Sequence, residues 1–153
     1  MGNIKASSDG IDKLTGNRNF ENSGTITLGS FDDSLTTDQF SNKGKIDFED
    51  GNDELIVNQL LGGWQIGFFN DSLISMGSGK DLIKINSSLG LTQLGDLRLG
   101  EDDDRIIFYN TSLLKGSNNR VDGGGGFDVL ALGTGAYKFT LQPDTSFLVQ
   151  VLS

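Results

Sequence analysis

The chain has 153 residues, of which 22 are glycine and one is proline, and its formal net charge is −9. It contains neither cysteine nor histidine, which excludes disulfides, thiolate or imidazole metal sites, and Ser-His or Cys-His nucleophile pairs. A surface this acidic repels nucleic acid and anionic membranes and attracts cations. The sequence also lacks an apolar run long enough to span a bilayer, so we expect no membrane insertion. Any metal would be a hard cation held by oxygen, which means calcium or magnesium.

Six segments share a register in which an aspartate stands sixth and an aliphatic residue eighth. Their sixth-place residues are Asp12, Asp33, Asp53, Asp81, Asp104 and Asp128. Glycine stands at the second or fourth place of each segment, or at both. The shortest step is 20 residues, from Asp33 to Asp53, and the longest is 28, from Asp53 to Asp81. Repeats of this length, with strand-like alternation around them, are typical of solenoids.

A second pattern, Asn-x-Gly followed by two alternating apolar residues, precedes these loops. It is clearest from Asn22 to Leu28 and from Asn42 to Phe48, and looser copies begin at Asn70 and Gln93. One unit is therefore a turn, a short strand, a glycine/aspartate loop and a second short strand. We predict an all-β fold, a parallel β-solenoid of the β-roll or β-helix kind, with about six coils over residues 7–132.

The alternating apolar residues should form two inward-facing ladders, one on each strand. The first ladder would contain Ile26/Leu28, Ile46/Phe48, Ile74/Met76 and Leu97/Leu99. The second would contain Leu35, Leu55/Val57, Ile83/Ile85, Ile106/Phe108 and Leu130/Leu132.

We expect residues 1–153 to form a single domain. Two segments within it depart from the repeating unit. The longest step inserts residues 60–69, whose Trp64, Phe68 and Phe69 could form an exposed binding ledge or fold back onto the core. Residues 136–151 alternate on both sides of a turn, which predicts a hairpin that caps the last coil. The first repeat lacks its Asn-x-Gly strand. We therefore expect either that the chain is a fragment of a longer one or that residues 1–20 form an irregular cap.

The segment Gly123 to Ala131 matches the full nonapeptide Gly-Gly-x-Gly-x-Asp-x-φ-x, where φ is apolar. On this motif and its looser copies, most of residues 7–132 resembles the hemolysin-type calcium-binding repeats, also called repeats-in-toxin (RTX). The resemblance implies a loop that binds Ca²⁺ through the sixth-place carboxylate and through backbone carbonyls of adjacent coils. Carried onto this chain, the ligands would come from Asp33, Asp53, Asp81, Asp104, Asp128, Asp50, Asp102, Gly51, Gly79, Gly100, Gly123 and Gly125.

Two alternatives to calcium remain open on the residues alone. The solenoid could be free of metal, with its Asp and Asn side chains capping their own turns. Lys80, directly before Asp81, could also replace an ion with its ammonium group. Only one edge of each coil carries the aspartate loop, whereas the regular RTX roll has such loops on both edges.

The resemblance implies a bacterial protein exported through a type I system and folded by external calcium. We therefore expect a non-catalytic structural or adhesive module, extracellular or at the cell surface, that could contact polysaccharide or cell-surface components. The alternative is an accessory module beside an extracellular polysaccharide-modifying enzyme. No unique set of residues interrupts the repeat as an active site should. We therefore predict no catalytic residue, and disfavour a lyase- or epimerase-type solenoid.

Overall fold

The structure is a computed structural model. It describes residues 4–5, 12–59, 67–87, 91–93, 95–109, 114–115, 120–133, 136–141 and 147–152. Trp64, Pro143 and most of the first eleven residues lie outside these ranges. Within the described part of the chain no helix is formed, and none is therefore long and apolar enough to cross a membrane.

The described residues form seventeen strands. In chain order they are β1 (Ile4–Lys5), β2 (Lys13–Asn22), β3 (Thr25–Gly29), β4 (Ser34–Asn42), β5 (Lys45–Glu49), β6 (Glu54–Gln59), β7 (Phe68–Asn70), β8 (Leu73–Ser78), β9 (Leu82–Ser87), β10 (Leu91–Gln93), β11 (Asp96–Glu101), β12 (Arg105–Phe108), β13 (Leu114–Lys115), β14 (Arg120–Gly124), β15 (Val129–Leu132), β16 (Ala136–Leu141) and β17 (Phe147–Leu152).

Parallel pairing of strands from successive repeats builds a β-solenoid of about four turns. One sheet has the order β1-β3-β5-β8-β11-β14. A nine-stranded sheet holds two rows of strands, which meet in the long strands β2 and β4. Its first row runs through β4, β6, β9, β12 and β15, and its second row through β4, β7, β10 and β13. The all-β solenoid predicted from the repeats is confirmed at this level. The count of six coils stays a prediction.

The second row is a strand position that the sequence analysis did not predict. Residues Phe40–Asn42 of β4 continue beyond the part of that strand that pairs with β6, and they pair instead with Phe68–Asn70 of β7. Each turn of the chain therefore crosses three strand positions rather than two. The Phe20, Phe40 and Phe68 rings stack here, with centroids 5.4 and 5.1 Å apart and planes 7° from parallel.

The core consists of the predicted ladders, with one exception at the C-terminal end. Every inward position from β3 to β12 that the pattern identified is buried. Leu130 was expected to face inward like Ile106, which it pairs with, yet 37 % of its surface is exposed. β15 is the last strand of its row, so Leu130 has a neighbouring strand on one side only. Leu132 is partly buried and packs against the core.

The two ends differ in how far they follow the predictions. At the N-terminal end, β2 pairs regularly with β4 apart from an irregularity between Gly16 and Asn19. Residues 13–20 are therefore part of a strand, and the expectation of an irregular cap over residues 1–20 stays a prediction because most of residues 1–11 lie outside the described ranges. At the C-terminal end, β16 and β17 form the predicted antiparallel pair, from Ala136 opposite Leu152 to Leu141 opposite Phe147. That this pair covers the last coil stays a prediction.

Candidate functional site

The glycine/aspartate loops share a backbone conformation that the repeat residues explain. Gly77, Gly100 and Gly124, at the second place of their repeats, have φ values of 111°, 119° and 88°. Glycine reaches such values without strain because it has no Cβ. The loops also stack closely, since a Cβ added to Gly100 would lie 1.8 Å from the carbonyl oxygen of Gly77. Glycine is therefore favoured at the second place for two reasons: a side chain would strain the backbone at this φ, and its Cβ would collide with the adjacent coil.

Two loops carry a side chain where this conformation favours glycine. Glu49, at the second place, has φ 71°, and Asp102, at the fourth, has φ 78°. Residues other than glycine in this region cost about 1 kcal/mol or more.

Glu49→Gly should therefore raise the free energy of unfolding by about 0.5–1 kcal/mol. The gain is smaller than the strain because glycine also raises the conformational entropy of the unfolded chain. Gly100→Ala should lower the free energy of unfolding. Chemical denaturation of both variants measures the difference, and a destabilised Glu49→Gly protein would contradict this account of the loop.

The six repeat aspartates form one column along the solenoid, called the aspartate column below. From Asp12 to Asp104, the backbone N–H of each aspartate donates a hydrogen bond to Oδ1 of the aspartate in the next coil. These N–O distances run from 2.6 Å, for Asp12 to Asp33, to 3.1 Å, for Asp104 to Asp128. The loops therefore bring all the predicted sixth-place carboxylates together.

The second oxygen of these carboxyl groups is the unusual feature of the column. Asp33, Asp53, Asp81 and Asp104 are at most 2 % exposed. Their Oδ2 atoms, together with Oδ2 of Asp12, are buried and accept no hydrogen bond from any described residue. A buried polar atom without a partner costs about 1–3 kcal/mol, and more if it carries charge. Asp128, in the last loop, is only half-buried.

In the four most buried aspartates of the column, burial raises the pKa of the carboxyl more than its hydrogen bond lowers it. Loss of water around Asp53 and Asp81 raises the pKa of each to about 7, and neighbouring carboxylates in the column add to the effect. The pKa of Asp104 rises to about 6 for the same reasons. The pKa of Asp33 also shifts upward because of burial. Near neutral pH the column must take up protons, gain a cation, or carry uncompensated charge.

An exposed row of residues runs beside the column, one residue earlier in each repeat, and its hydrogen bonds point the opposite way. The N–H of Asn52 donates to Oδ1 of Asp32 in the preceding coil at 2.8 Å, and the N–H of Phe127 donates to Oδ1 of Asp103 at 3.0 Å. These bonds lower the pKa of both carboxyls, and Lys80 adds to the effect at Asp103. Adjacent aspartates in one loop are thus shifted in opposite directions.

Lys80 belongs to this exposed row. Its Nζ lies 3.1 Å from Oδ2 of Asp103, whereas Oδ2 of Asp81 has no partner in the part of the chain that the structure describes. The idea that the Lys80 ammonium replaces an ion in the aspartate column is therefore wrong. Like the other fifth-place residues of the exposed row, Lys80 points away from the column and is exposed.

The remaining predicted ligands lie at the loop surface. Asp50 and Asp102 are exposed, and Asp50 accepts a hydrogen bond from the Ser78 hydroxyl at 2.7 Å. Gly51 and Gly79 have positive φ at the fourth place. Gly125 donates its N–H to the Gly100 carbonyl, and Gly123 lies against the Asp128 carboxyl group. Across the described residues, no three acidic side chains converge to hold a metal ion.

At the turns that precede the strands of the six-stranded sheet, Asn22, Asn42 and Asn70 form an asparagine ladder that also caps its own turns. Nδ2 of Asn22 donates to Oδ1 of Asn42, and Nδ2 of Asn42 donates to Oδ1 of Asn70. Oδ1 of Asn22 also accepts from the N–H of Gly24, and Oδ1 of Asn42 from that of Gly44. The turn-capping alternative therefore describes the asparagines. It does not describe the column aspartates, whose Oδ1 atoms accept from the adjacent coil.

The three aromatic residues of the 60–69 insertion do not share one role. Phe68 is fully buried in the stacked rings, so it is core. Phe69 is half-buried, with Nζ of Lys43 6.0 Å from its ring centroid. Trp64 lies outside the described residues.

Sequence reasoning missed the exposed row and the phenylalanine stack. Asp32, Asn52 and Asp103 stand at the fifth place of their repeats, so the register that identified the column aspartates could have identified them. Phe20, Phe40 and Phe68 each stand two residues before the Asn of the second pattern, and that spacing was the available signal.

No family model matches the chain, and no curated protein or solved structure gives a significant match.

Proposed function

We propose that this chain is a non-catalytic β-solenoid module that is stabilised by calcium and has a structural or adhesive role outside a bacterial cell. The observation that carries the proposal is the unpartnered Oδ2 atom of each of the four most buried column aspartates. The extracellular bacterial setting rests on the resemblance of Gly123 to Ala131 to the RTX nonapeptide.

The donor set fits calcium in chemical type. Calcium binds six to eight oxygens and accepts carboxylates, backbone carbonyls and water together. Asp33, Asp53, Asp81 and Asp104 would hold the ion through Oδ2, and stacked loop carbonyls would supply neutral oxygens. When bound, the cation neutralises carboxylates that burial otherwise forces toward the protonated form. Since no three acidic side chains converge within the described ranges, carbonyls and water would have to complete the shell.

The same geometry argues against catalysis in the column. Its carboxyl groups have the raised pKa values that general acids need, but they are at most 2 % exposed and no substrate can touch them. Their regular repetition is what the stacking of like coils in a structural solenoid produces. The β16–β17 pair begins three residues after the described Gly133, which tethers it within about 12 Å of the open end. We therefore also propose that it caps the solenoid.

Thermal melts in chelator and in millimolar calcium test the proposal. At one hundred times its dissociation constant, an ion at a single site adds about 2.7 kcal/mol, equivalent to about 5–10 °C in Tm for a domain of this size. Magnesium should stabilise less because it requires a tighter octahedral shell. Identical melts in calcium and chelator would remove calcium from the proposal and leave the solenoid as it is.

A further inference from the structure

The two outer faces of the solenoid differ in how their charges are arranged. On the six-stranded sheet, Lys45 pairs with Asp47 and Arg98 pairs with Asp96, each within its own strand. Thr25, Thr27, Leu73 and Ser75 are the uncharged outward residues between them, and all the charged outward residues of β5 and β11 in these two lines belong to the two pairs. That face is polar and its charges are largely paired within the chain.

The outer face of the first row of the nine-stranded sheet, called the B face below, is different. Its two lines of outward residues follow from the strand register. From β4 to β15 the first line contains Ser34, Glu54, Leu82, Arg105 and Val129, and the second contains Thr36, Ile56, Lys84, Ile107 and Ala131. Ile56, Leu82, Ile107 and Val129 therefore alternate between the two lines on successive strands and form a zigzag apolar stripe across the face.

The B face also carries charges without partners. Glu54, Lys84 and Arg105 form no ion pair with any other described residue. Glu54 and Arg105 are exposed, and they occupy the same line on opposite sides of Leu82. An apolar stripe flanked by unpaired charges of opposite sign is typical of a surface that another protein covers.

We propose that the B face binds the B face of a second copy, with a two-fold axis that runs along strand β9. Such an axis places β6 of one copy opposite β12 of the other. Glu54 then faces Arg105 of the second copy, Ile56 faces its Ile107, and the two Leu82 side chains meet at the centre. Lys84 lies opposite its own equivalent, and its flexible stem can turn toward Glu54 of the second copy, one strand away. Two-fold contacts of this kind are self-complementary, and flat sheets pack face to face at about 10 Å.

A two-fold axis parallel to the sheet could instead run along the solenoid, perpendicular to the strands. The strand register favours the axis along β9 over that one. An axis along the solenoid would place Glu54 opposite Ile56 and Arg105 opposite Ile107. Both charges would then be buried against apolar groups without compensation, which is costly. Charge complementarity therefore selects both the occupant and its orientation. This inference does not depend on calcium binding.

The decisive experiment measures self-association of the full chain by sedimentation equilibrium in millimolar calcium. The unaltered chain should show a monomer–dimer equilibrium. Glu54→Arg and Arg105→Glu should each weaken it by more than about tenfold, because each variant brings like charges together at both contacts. An equimolar mixture of the two variants should regain the dimer, since opposite charges then meet at both contacts.

Two further variants distinguish this interface from nonspecific association. Leu82→Glu should weaken association by at least about tenfold, because it places two carboxylates at the centre. Thr27→Glu, on the polar face, should leave it unchanged. Circular dichroism melts check that each variant folds. A chain that is monomeric at every concentration would overturn the proposal and leave the B face to another partner. Association that survives the charge variants, or a mixture that does not associate, would overturn it equally.

Discussion

In chelator, the free energy of unfolding should fall as the pH rises from about 4 to about 8. The folded state holds the carboxyls of Asp53 and Asp81 at a pKa of about 7, against an ordinary value of 3.8. A carboxyl whose pKa is raised by folding stabilises the folded state fully below its unfolded pKa. That contribution is lost as the pH rises through the folded pKa.

The expected effect is large because each pKa unit corresponds to about 1.4 kcal/mol. A carboxyl displaced by about three units contributes on the order of 4 kcal/mol, and Asp104 adds to the same trend with a pKa of about 6. Asp32 and Asp103 have lowered pKa values, so their contributions are lost only in more acidic solution. Proteins in general tend to be most stable between about pH 5 and pH 8, whereas this one should lose stability across that range.

Urea denaturation at several pH values, in chelator, measures the trend. Repeating the series in millimolar calcium should flatten it, because a bound cation stabilises the ionised carboxylates that dominate at high pH. A free energy of unfolding that increases between about pH 5 and about pH 8 in chelator would contradict the raised pKa values of the column.

Asp81→Asn should have opposite effects in chelator and in calcium at about pH 8. The amide keeps Oδ1 as acceptor for the N–H of Asp53, a bond of 2.8 Å, and replaces the unpartnered Oδ2 with a neutral donor. In chelator the variant should be more stable than the unaltered chain by about 2 kcal/mol, because a buried group that had to be charged or protonated is gone. In calcium it should be less stabilised, since one carboxylate ligand is lost.

Two control variants separate charge from geometry. Asp38→Asn removes one negative charge from an exposed position on the nine-stranded sheet, and it should change neither melt by more than about 0.5 kcal/mol. Asp81→Ala removes the Oδ1 acceptor as well, so it should be less stable than Asp81→Asn in both conditions by about 1–3 kcal/mol. If Asp81→Asn destabilised in chelator and left the calcium response intact, the column would be a hydrogen-bonded structural element and nothing more.

The sequence by itself determined the solenoid, its register and the composition of the column. A fixed order of glycine, aspartate and aliphatic residue can stack in only one register, because a shift of one residue would turn Ile83 and its equivalents outward. For the same reason the pattern identified the buried ladders and placed the carboxylates of Asp33, Asp53, Asp81 and Asp104 above one another.

Other properties depended on contacts between coils that no single repeat contains. The pairing of β4 with both β6 and β7 created the third strand position and its phenylalanine stack. The N–H of the adjacent coil donates to one oxygen of each of these column carboxyls, Oδ1. Oδ2, the other oxygen, is left without a partner among the described residues. Leu130 occupies a core position in sequence and is exposed in the fold because its strand is the last of its row. Burial and hydrogen bonding arise from contacts between stacked coils, so they could be assigned only from the tertiary structure.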